Sequence, residues 1–274
     1  MAHHPPSDAT SERVDGMAAE DYFAAPGISS TDLKQWASKT PRDWRYWKDH
    51  PVEETEAMKL GSAIHCAVLE ADQYDKRFTY YEGRRSGAAY DEFCAENPNR
   101  TILSKSSQEV VDAATDYLYS KDRLHKVIQG GESEVSYFHR HLDGRVRKAR
   151  ADWIGTLNDS PIIIDLKTTY SLEDRHLSKT VANMRYALQG AYYMDVASAC
   201  EPREVNAFAI LWVRTTMPVD FRLCVLHPDA IEYGRKQYTA AWEELTGCLD
   251  RNEFPGYSIE PFFLELPKWA MTDD

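Results

Sequence analysis

Residues 150–154 read RADWI and residues 161–169 read PIIIDLKTT, and these two short runs decide how the chain is read. The second has the pattern of a strand: Pro161–Ile164 is apolar and largely β-branched, and Asp165, Leu166 and Lys167 then alternate charged with apolar. Side chains alternate faces along a strand, so Asp165 and Lys167 point the same way while Leu166 points into packing. Turn-forming residues between Leu157 and Pro161 make the two runs the arms of a hairpin. Centred between Asn158 and Asp159, that hairpin sets Asp152 opposite Asp165. Two carboxylates side by side repel each other unless a cation lies between them. Oxygen ligands suit Mg²⁺ or Mn²⁺. Beside such an ion, Lys167 would orient an attacking water or offset negative charge on a phosphate. A lone D-x-K is also what an ordinary surface salt bridge looks like, so the rest of the chain has to decide.

Working outward, residues 132–141 and 144–154 read as two strands joined at Asp143–Gly144, which makes three successive strands with 161–169. Upstream the period is helical. Ser29, Ser30 and Thr31 offer N-caps for a short helix ending near Ser38. Pro41 suits the start of a second helix, closed by Pro51. In AMKLGSAIHCAVLE (57–70), Leu60, Ile64, Ala67 and Val68 form one buried face. Residues 87–129 read as helical, with an extended interruption around Pro98–Leu103. Downstream, the pattern predicts a helix over 172–199, strands near 205–214 and 219–226, and a long helix from Pro228 to about Asp250. The tail GYSIEPFFLELPKWA reads as an extended segment packed on the core, and residues 1–26 as a flexible segment. Helices, three strands, a helix, two strands and a helix together specify an α/β fold, a central mixed β-sheet flanked by helices.

Composition bounds the function. The 274 residues carry a net charge of −12, which argues against a protein that coats DNA but not against one that grips it through a local basic strip. Arg140, Arg145, Arg147, Lys148 and Arg150 form the densest basic run, on the strands that supply Asp152. Arg84 and Arg85 lie in a Gly-flanked loop and are a second candidate DNA grip. The five cysteines are scattered with no CxxC pair, which indicates neither a zinc ribbon nor a disulfide framework and favours free thiols. His139 and His141 stand at i, i+2 on a strand, but no further zinc ligand falls at recognisable spacing. No apolar run reaches the ~18 residues of a membrane helix and no signal core opens the chain. A cytoplasmic protein that does not engage a membrane is the expectation.

Taken in order, ISSTDLKQW, MKLGSAIHCAVLE, the Glu134-Val-Ser-Tyr strand, RADWI, IIIDLKTT, YALQGAYY and the closing LPKWA resemble the PD-(D/E)XK nucleases, specifically the RecE-like (exodeoxyribonuclease VIII-type) phage and prophage exonucleases of the RecB-like branch. The resemblance implies one nuclease domain over 27–274, helical over 27–130 with a catalytic core over 131–274. It implies that Glu134, Asp152 and Asp165, with His65 and the backbone carbonyl of Leu166, hold Mg²⁺ (or Mn²⁺), and that Lys167 is the catalytic lysine. Gln189 and Tyr193, one helical turn apart, would face the DNA end or support the site. Glu132 rivals Glu134, which better fits the E-x-S-Y pattern. Ala151 stands where the family often has proline, at a position that shapes the strand and carries no chemistry. The implied activity is 5′-to-3′ digestion of one strand of linear double-stranded DNA, leaving 3′ overhangs for recombination. A homo-oligomeric ring and a single-strand annealing protein as partner are implied with it. The alternatives are a structure-specific or restriction-type endonuclease using the same site, and a catalytically inactive DNA-binding module of the same fold.

Overall fold

The computed structural model describes residues 11–50, 52–157, 160–267 and 270–271. The N-terminal half runs β1 (Ser11–Val14), α1 (Ala19–Ala24), β2 (Ile28–Ser29), α2 (Ser30–Trp36), α3 (Pro41–Asp49), α4 (Glu56–Leu69), α5 (Ala71–Arg77) and β3 (Phe78–Tyr81). It continues with α6 (Ala88–Glu96), β4 (Thr101–Ser104), α7 (Lys105–Ser120) and α8 (Asp122–Gln129). The sheet-rich part then runs β5 (Glu132–Arg140), β6 (Val146–Leu157), β7 (Ser160–Thr169), α9 (Asp174–Asn183), α10 (Tyr186–Ser198), β8 (Ala207–Arg214), β9 (Phe221–Val225) and α11 (Pro228–Arg251).

The main sheet has seven strands, in the order β1-β5-β6-β7-β8-β9, with β2 also pairing on β6. It is mixed, because β5, β6 and β7 run antiparallel while β7 and β8 run parallel. This is the α/β sheet flanked by helices that the element order specifies. A parallel step needs a crossover, and α9 and α10 supply it. One face packs on α2, α10 and α11 through Leu33, Trp36, Leu188, Tyr192, Tyr238 and Trp242. The other packs on α4 and α7 through Ile64, Ala67, Val111 and Leu118. Alternation along β7 divides its apolar run accordingly: Ile163 enters the first core, and Ile162 and Ile164 the second. Fully burying each such side chain is worth about 1.5–3 kcal/mol, so β7 is clamped from both sides.

Register on the hairpin follows the sequence reading. Trp153 pairs with Ile164 and Leu157 with Ser160, which extends to Asp152 against Asp165. The turn residues Asn158 and Asp159 lie outside the described residues, as do Pro51, residues 1–10, and Lys268 and Trp269 of LPKWA. On the other side of β6, Ser133 pairs with Trp153 and Val135 with Ala151, so Glu134 stands across from Asp152. Glu134 has φ +59°, a left-handed conformation costly for a residue with a side chain. At the same place β6 breaks its alternation: Ala149 and Ala151 join the first core, yet Trp153 joins the second.

Three expectations need correction. Residues 11–26 form β1, which pairs with β5, and α1, so the flexible segment does not reach residue 26. Met17, Tyr22 and Ala25 are buried against Phe138, apolar contacts too widely spaced to read as a periodic pattern. The helix over 172–199 is two helices, parted where Arg185 takes φ +53°. The described part of the tail does not pack on the core. Phe254 stacks on Trp44 and Pro255 accepts a hydrogen bond from Arg42 N–H, but Tyr257, Ile259, Phe262, Phe263, Leu264 and Leu266 are exposed. Apolar composition says that a segment favours cover, not where the cover is. Among the described residues no helix is long and apolar enough to cross a membrane.

Candidate active site

Three adjacent strands each bring one acid to the same level of the sheet: Glu134 on β5, Asp152 on β6 and Asp165 on β7. Helix α4, capped by Thr55 Oγ1 accepting from Met58 N–H at 3.2 Å, carries His65 over them. His65 Nδ1 lies 3.3 Å from Glu134 Oε1, and Nε2 lies 3.2 Å from Asp152 Oδ2. The same Asp152 oxygen accepts the Leu166 N–H at 2.9 Å. Among the described residues, His65, Glu134 and Asp152 form a group whose ligand atoms all lie within 4.8 Å of one another.

Asp165 sits beside this group with its own partners. Lys167 Nζ is 2.5 Å from Asp165 Oδ2, and Gln189 Nε2 donates to Asp165 Oδ1 at 2.7 Å. Asp165 Oδ2 is buried, with the Lys167 ammonium against it as its counter-charge. Lys167 Nζ also lies 3.3 Å from the Leu166 carbonyl, which places that oxygen at the site.

The charge pattern separates the groups. Burial alone would favour a neutral imidazole, but the charge and hydrogen bond of Asp152, then the charge of Glu134, push His65 up to about 9. Burial also works against an ionised Asp152, yet His65, Lys167 and the Leu166 N–H hold it well below the usual carboxylate range. Burial, aided by repulsion from Asp152, pushes Asp165 up to about 6 against the pull of Lys167. Burial likewise raises Glu134. Despite its own burial, Lys167 is held above the ordinary lysine range by Asp165 and Asp152. In the metal-free protein, the His65 imidazolium therefore stands where a cation is wanted between two acids.

The donor set fits a divalent ion. It offers two carboxylates, one imidazole, the Leu166 carbonyl and a further acid whose buried oxygen has only a cation for company. Such an oxygen-rich set suits Mg²⁺ or Mn²⁺.

Other candidates are placed differently. Glu132 turns away and pairs with Arg13 at 2.5 Å, which leaves Glu134 as the acid at the site. Tyr193 packs edge-on against Phe208 and shares a hydrogen bond with Ser30, the first residue of α2. The basic run is largely structural. Lys148 is buried, its Nζ donating to the carbonyls of Tyr22 (3.0 Å), Phe23 (3.3 Å) and Ala25 (2.6 Å). Arg150 pairs with Glu134 and donates to the Met17 carbonyl at 2.8 Å and to Ser136 Oγ at 2.9 Å. Arg147 lies over the rings of Trp242 and Tyr238, 4.7 and 5.7 Å from their centroids. Arg84 is exposed, and Arg85 bridges to Glu56 at 2.6 Å. His139 bonds Ser11, and His141 sits beside Asp143 and the Trp242 ring.

Sequence reasoning missed two residues. Lys34 on α2 donates to Gln189 Oε1 at 2.6 Å, and the Tyr186 ring centroid lies 5.4 and 5.5 Å from the Nζ atoms of Lys34 and Lys167. The available signal was the position of Lys34 two residues after the Ser29–Asp32 capping box, inside a segment already quoted for its resemblance.

Comparison with known proteins fits this geometry. Among solved structures, the fold is similar to that of a protein from Eubacterium rectale described as a "putative exonuclease", at TM-score 0.61 and 15% identity over 94% of this chain and 98% of that one. SSO0001 (TM-score 0.34, 16% identity, 81% of each chain) and VC1899 from Vibrio cholerae (TM-score 0.25, 10% identity, 88% of this chain and 58% of that one) also match. No curated protein sequence matches. A family model does, over residues 29–261, and with the acids, lysine and histidine of the site all inside that span the chain belongs to the family described as "PDDEXK-like domain of unknown function (DUF3799)", a nuclease-type domain.

Proposed function

We propose that this protein is a Mg²⁺-dependent exonuclease that digests one strand of linear double-stranded DNA from its 5′ end and leaves 3′ overhangs. The observation that carries the reading is the row Glu134–Asp152–Asp165 across three adjacent strands, with His65 above it and Lys167 at its end. Mn²⁺ would substitute for Mg²⁺. Glu134, Asp152, Asp165, His65 and the Leu166 carbonyl would hold the ion. When bound, it would supply Lewis acidity toward a phosphodiester oxygen and toward water.

The chain's own residues do the rest. His65, its proton lost to solvent, would offer a nitrogen lone pair, and the two acids that it bridges would be free to act as ligands. Lys167 Nζ, steered by Asp165, orients a water with one N–H and offsets charge on the phosphate with its ammonium. Gln189 fixes the rotamer of Asp165 and so the lysine beside it. Arg84 and Arg85 are kept as candidate DNA contacts. Lys148, Arg147 and Arg150 have structural partners instead. Assembly as a homo-oligomeric ring on DNA ends, a single-strand annealing partner and a cytoplasmic setting belong to the proposal through the resemblance. The described activity of the Eubacterium rectale protein is in keeping with it.

The test is Mg²⁺-dependent degradation of linear duplex DNA labelled separately at the 5′ and 3′ ends, with closed circular DNA beside it. Loss of 5′ label from linear DNA alone is expected, abolished by EDTA and reduced about 10²–10³-fold in Lys167→Ala. Cutting of the circle would make the protein an endonuclease. DNA binding without cleavage in Mg²⁺ or Mn²⁺ would make it a binding module.

A further inference from the structure

Helix α2 is held unusually firmly for seven residues. Ser29 and Asp32 form a reciprocal capping box, and Asp32 Oδ1 also binds Lys48 Nζ at 2.7 Å. Trp44 Nε1 donates to the Asp32 carbonyl, Trp36 Nε1 donates to Glu244, and Leu33 is fully buried. At the far end Arg185 donates to the Ala37 carbonyl at 2.6 Å. This fixed helix delivers one charged group toward the site, Lys34.

Lys34 Nζ is a pure donor, and its partner is Gln189 Oε1. That contact decides which way the amide faces. With its oxygen committed to the ammonium, the Gln189 NH₂ must point to Asp165, where it donates at 2.7 Å. Without Lys34 the buried amide oxygen loses its donor, and the carboxylate alone is left to hold the amide in place. Burial pushes the Lys34 ammonium down to about 8, so a costly charge is kept where the sequence needs only a helix former. We propose that Lys34 is a positioning residue, which locks the Gln189 amide and through it the orientation of Asp165 beside Lys167. This rests on the nuclease reading of the site and adds to it a residue that acts through Gln189.

The test compares wild type, Lys34→Met, which keeps the length but loses donor and charge, and Lys34→Gln, which keeps an N–H donor. Three quantities are measured: Mn²⁺ affinity by calorimetry, kcat and KM on linear duplex DNA, and the melting midpoint. Loss of an outer hydrogen-bond partner of a ligand typically costs 10–100-fold in metal affinity or activity. Lys34→Met is expected to lose about 10-fold or more in Mn²⁺ affinity or kcat, at unchanged KM for DNA, and Lys34→Gln to recover most of it. The double variant with Gln189→Met should be no worse than Gln189→Met alone, because both lie on one path. Wild-type kcat and Mn²⁺ affinity in Lys34→Met would overturn the proposal. So would a rise in KM at constant kcat, which would make Lys34 a DNA contact, or additive losses in the double variant. If Lys34→Met melts early, Lys34→Gln decides: wild-type Mn²⁺ affinity supports the proposal and a full loss overturns it. If wild type binds Mn²⁺ but cleaves nothing, the nuclease reading has failed, and the affinities still judge Lys34.

Discussion

His65 should make the metal-free protein lose stability between pH 6.5 and 8. Its imidazole is raised to about 9 in the folded chain by Asp152 and Glu134, against about 6.5 when unfolded. A base whose folded value is raised contributes stability that is fully present below the unfolded value and is lost as pH climbs through the folded one. Each pH unit inside that window is worth about 1.4 kcal/mol, so the climb from 6.5 to 8 removes about 2 kcal/mol. The window is clear of two neighbouring groups. Asp165, raised to about 6, loses its contribution below it. Lys34, lowered to about 8, gains stability with pH only above it. Urea unfolding in EDTA at half-unit steps, for wild type and His65→Asn, isolates the effect, since the other eight of the nine histidines are common to both. The wild type should fall about 2 kcal/mol further than the variant across the window. Stability curves that run parallel from pH 6.5 to 8 would refute an imidazolium bridging the two acids. Saturating Mn²⁺ should abolish the difference in slope, because ligation requires the neutral imidazole.

Arg150→Ala should destabilise the protein by about 3 kcal/mol in urea and weaken Mn²⁺ binding, because Glu134 is left buried without its guanidinium. A role limited to DNA would instead leave both unchanged. Gly234→Ala should cost about 1–3 kcal/mol or more, since its Cβ would stand 2.1 Å from the Ala187 carbonyl oxygen and force α11 off α10. Gly61→Ala should be neutral to stabilising by up to about 1 kcal/mol, as its Cβ would meet only Thr168 Oγ1 at 3.5 Å in a helix interior. Unchanged cleavage by that variant would show that the glycine is not there to admit DNA.

The hairpin was legible because period-two alternation and turn chemistry fix a register by local rules, and the D-x-K pattern then puts two acids face to face. His65 and Glu134 were reachable only through the resemblance, since nothing local connects a helix at residue 65 to a strand at 134. The basic run misled for a physical reason. Charge density along a chain says nothing of which face each residue takes, and Lys148 and Arg150 are turned inward onto backbone carbonyls and an acid. Glu134 shows another limit: nothing in its neighbours in sequence marks the left-handed backbone that it adopts. Lys34 was hidden because its partner is 155 residues away.

The N-terminal stretch meets the site through two cations. Lys148 gathers the carbonyls that end α1, and Arg150 spans from the Met17 carbonyl to Glu134. Among the described residues, none that a cut between Met17 and Gly27 would remove bonds to His65, Asp152 or Lys167. Such a cut would still leave Arg150 tethered on one side only, and would open the carbonyl cage that keeps Lys148 out of water. Because this stretch helps to hold the arginine that pairs with Glu134, limited proteolysis there should register as lost metal affinity before any loss of the sheet.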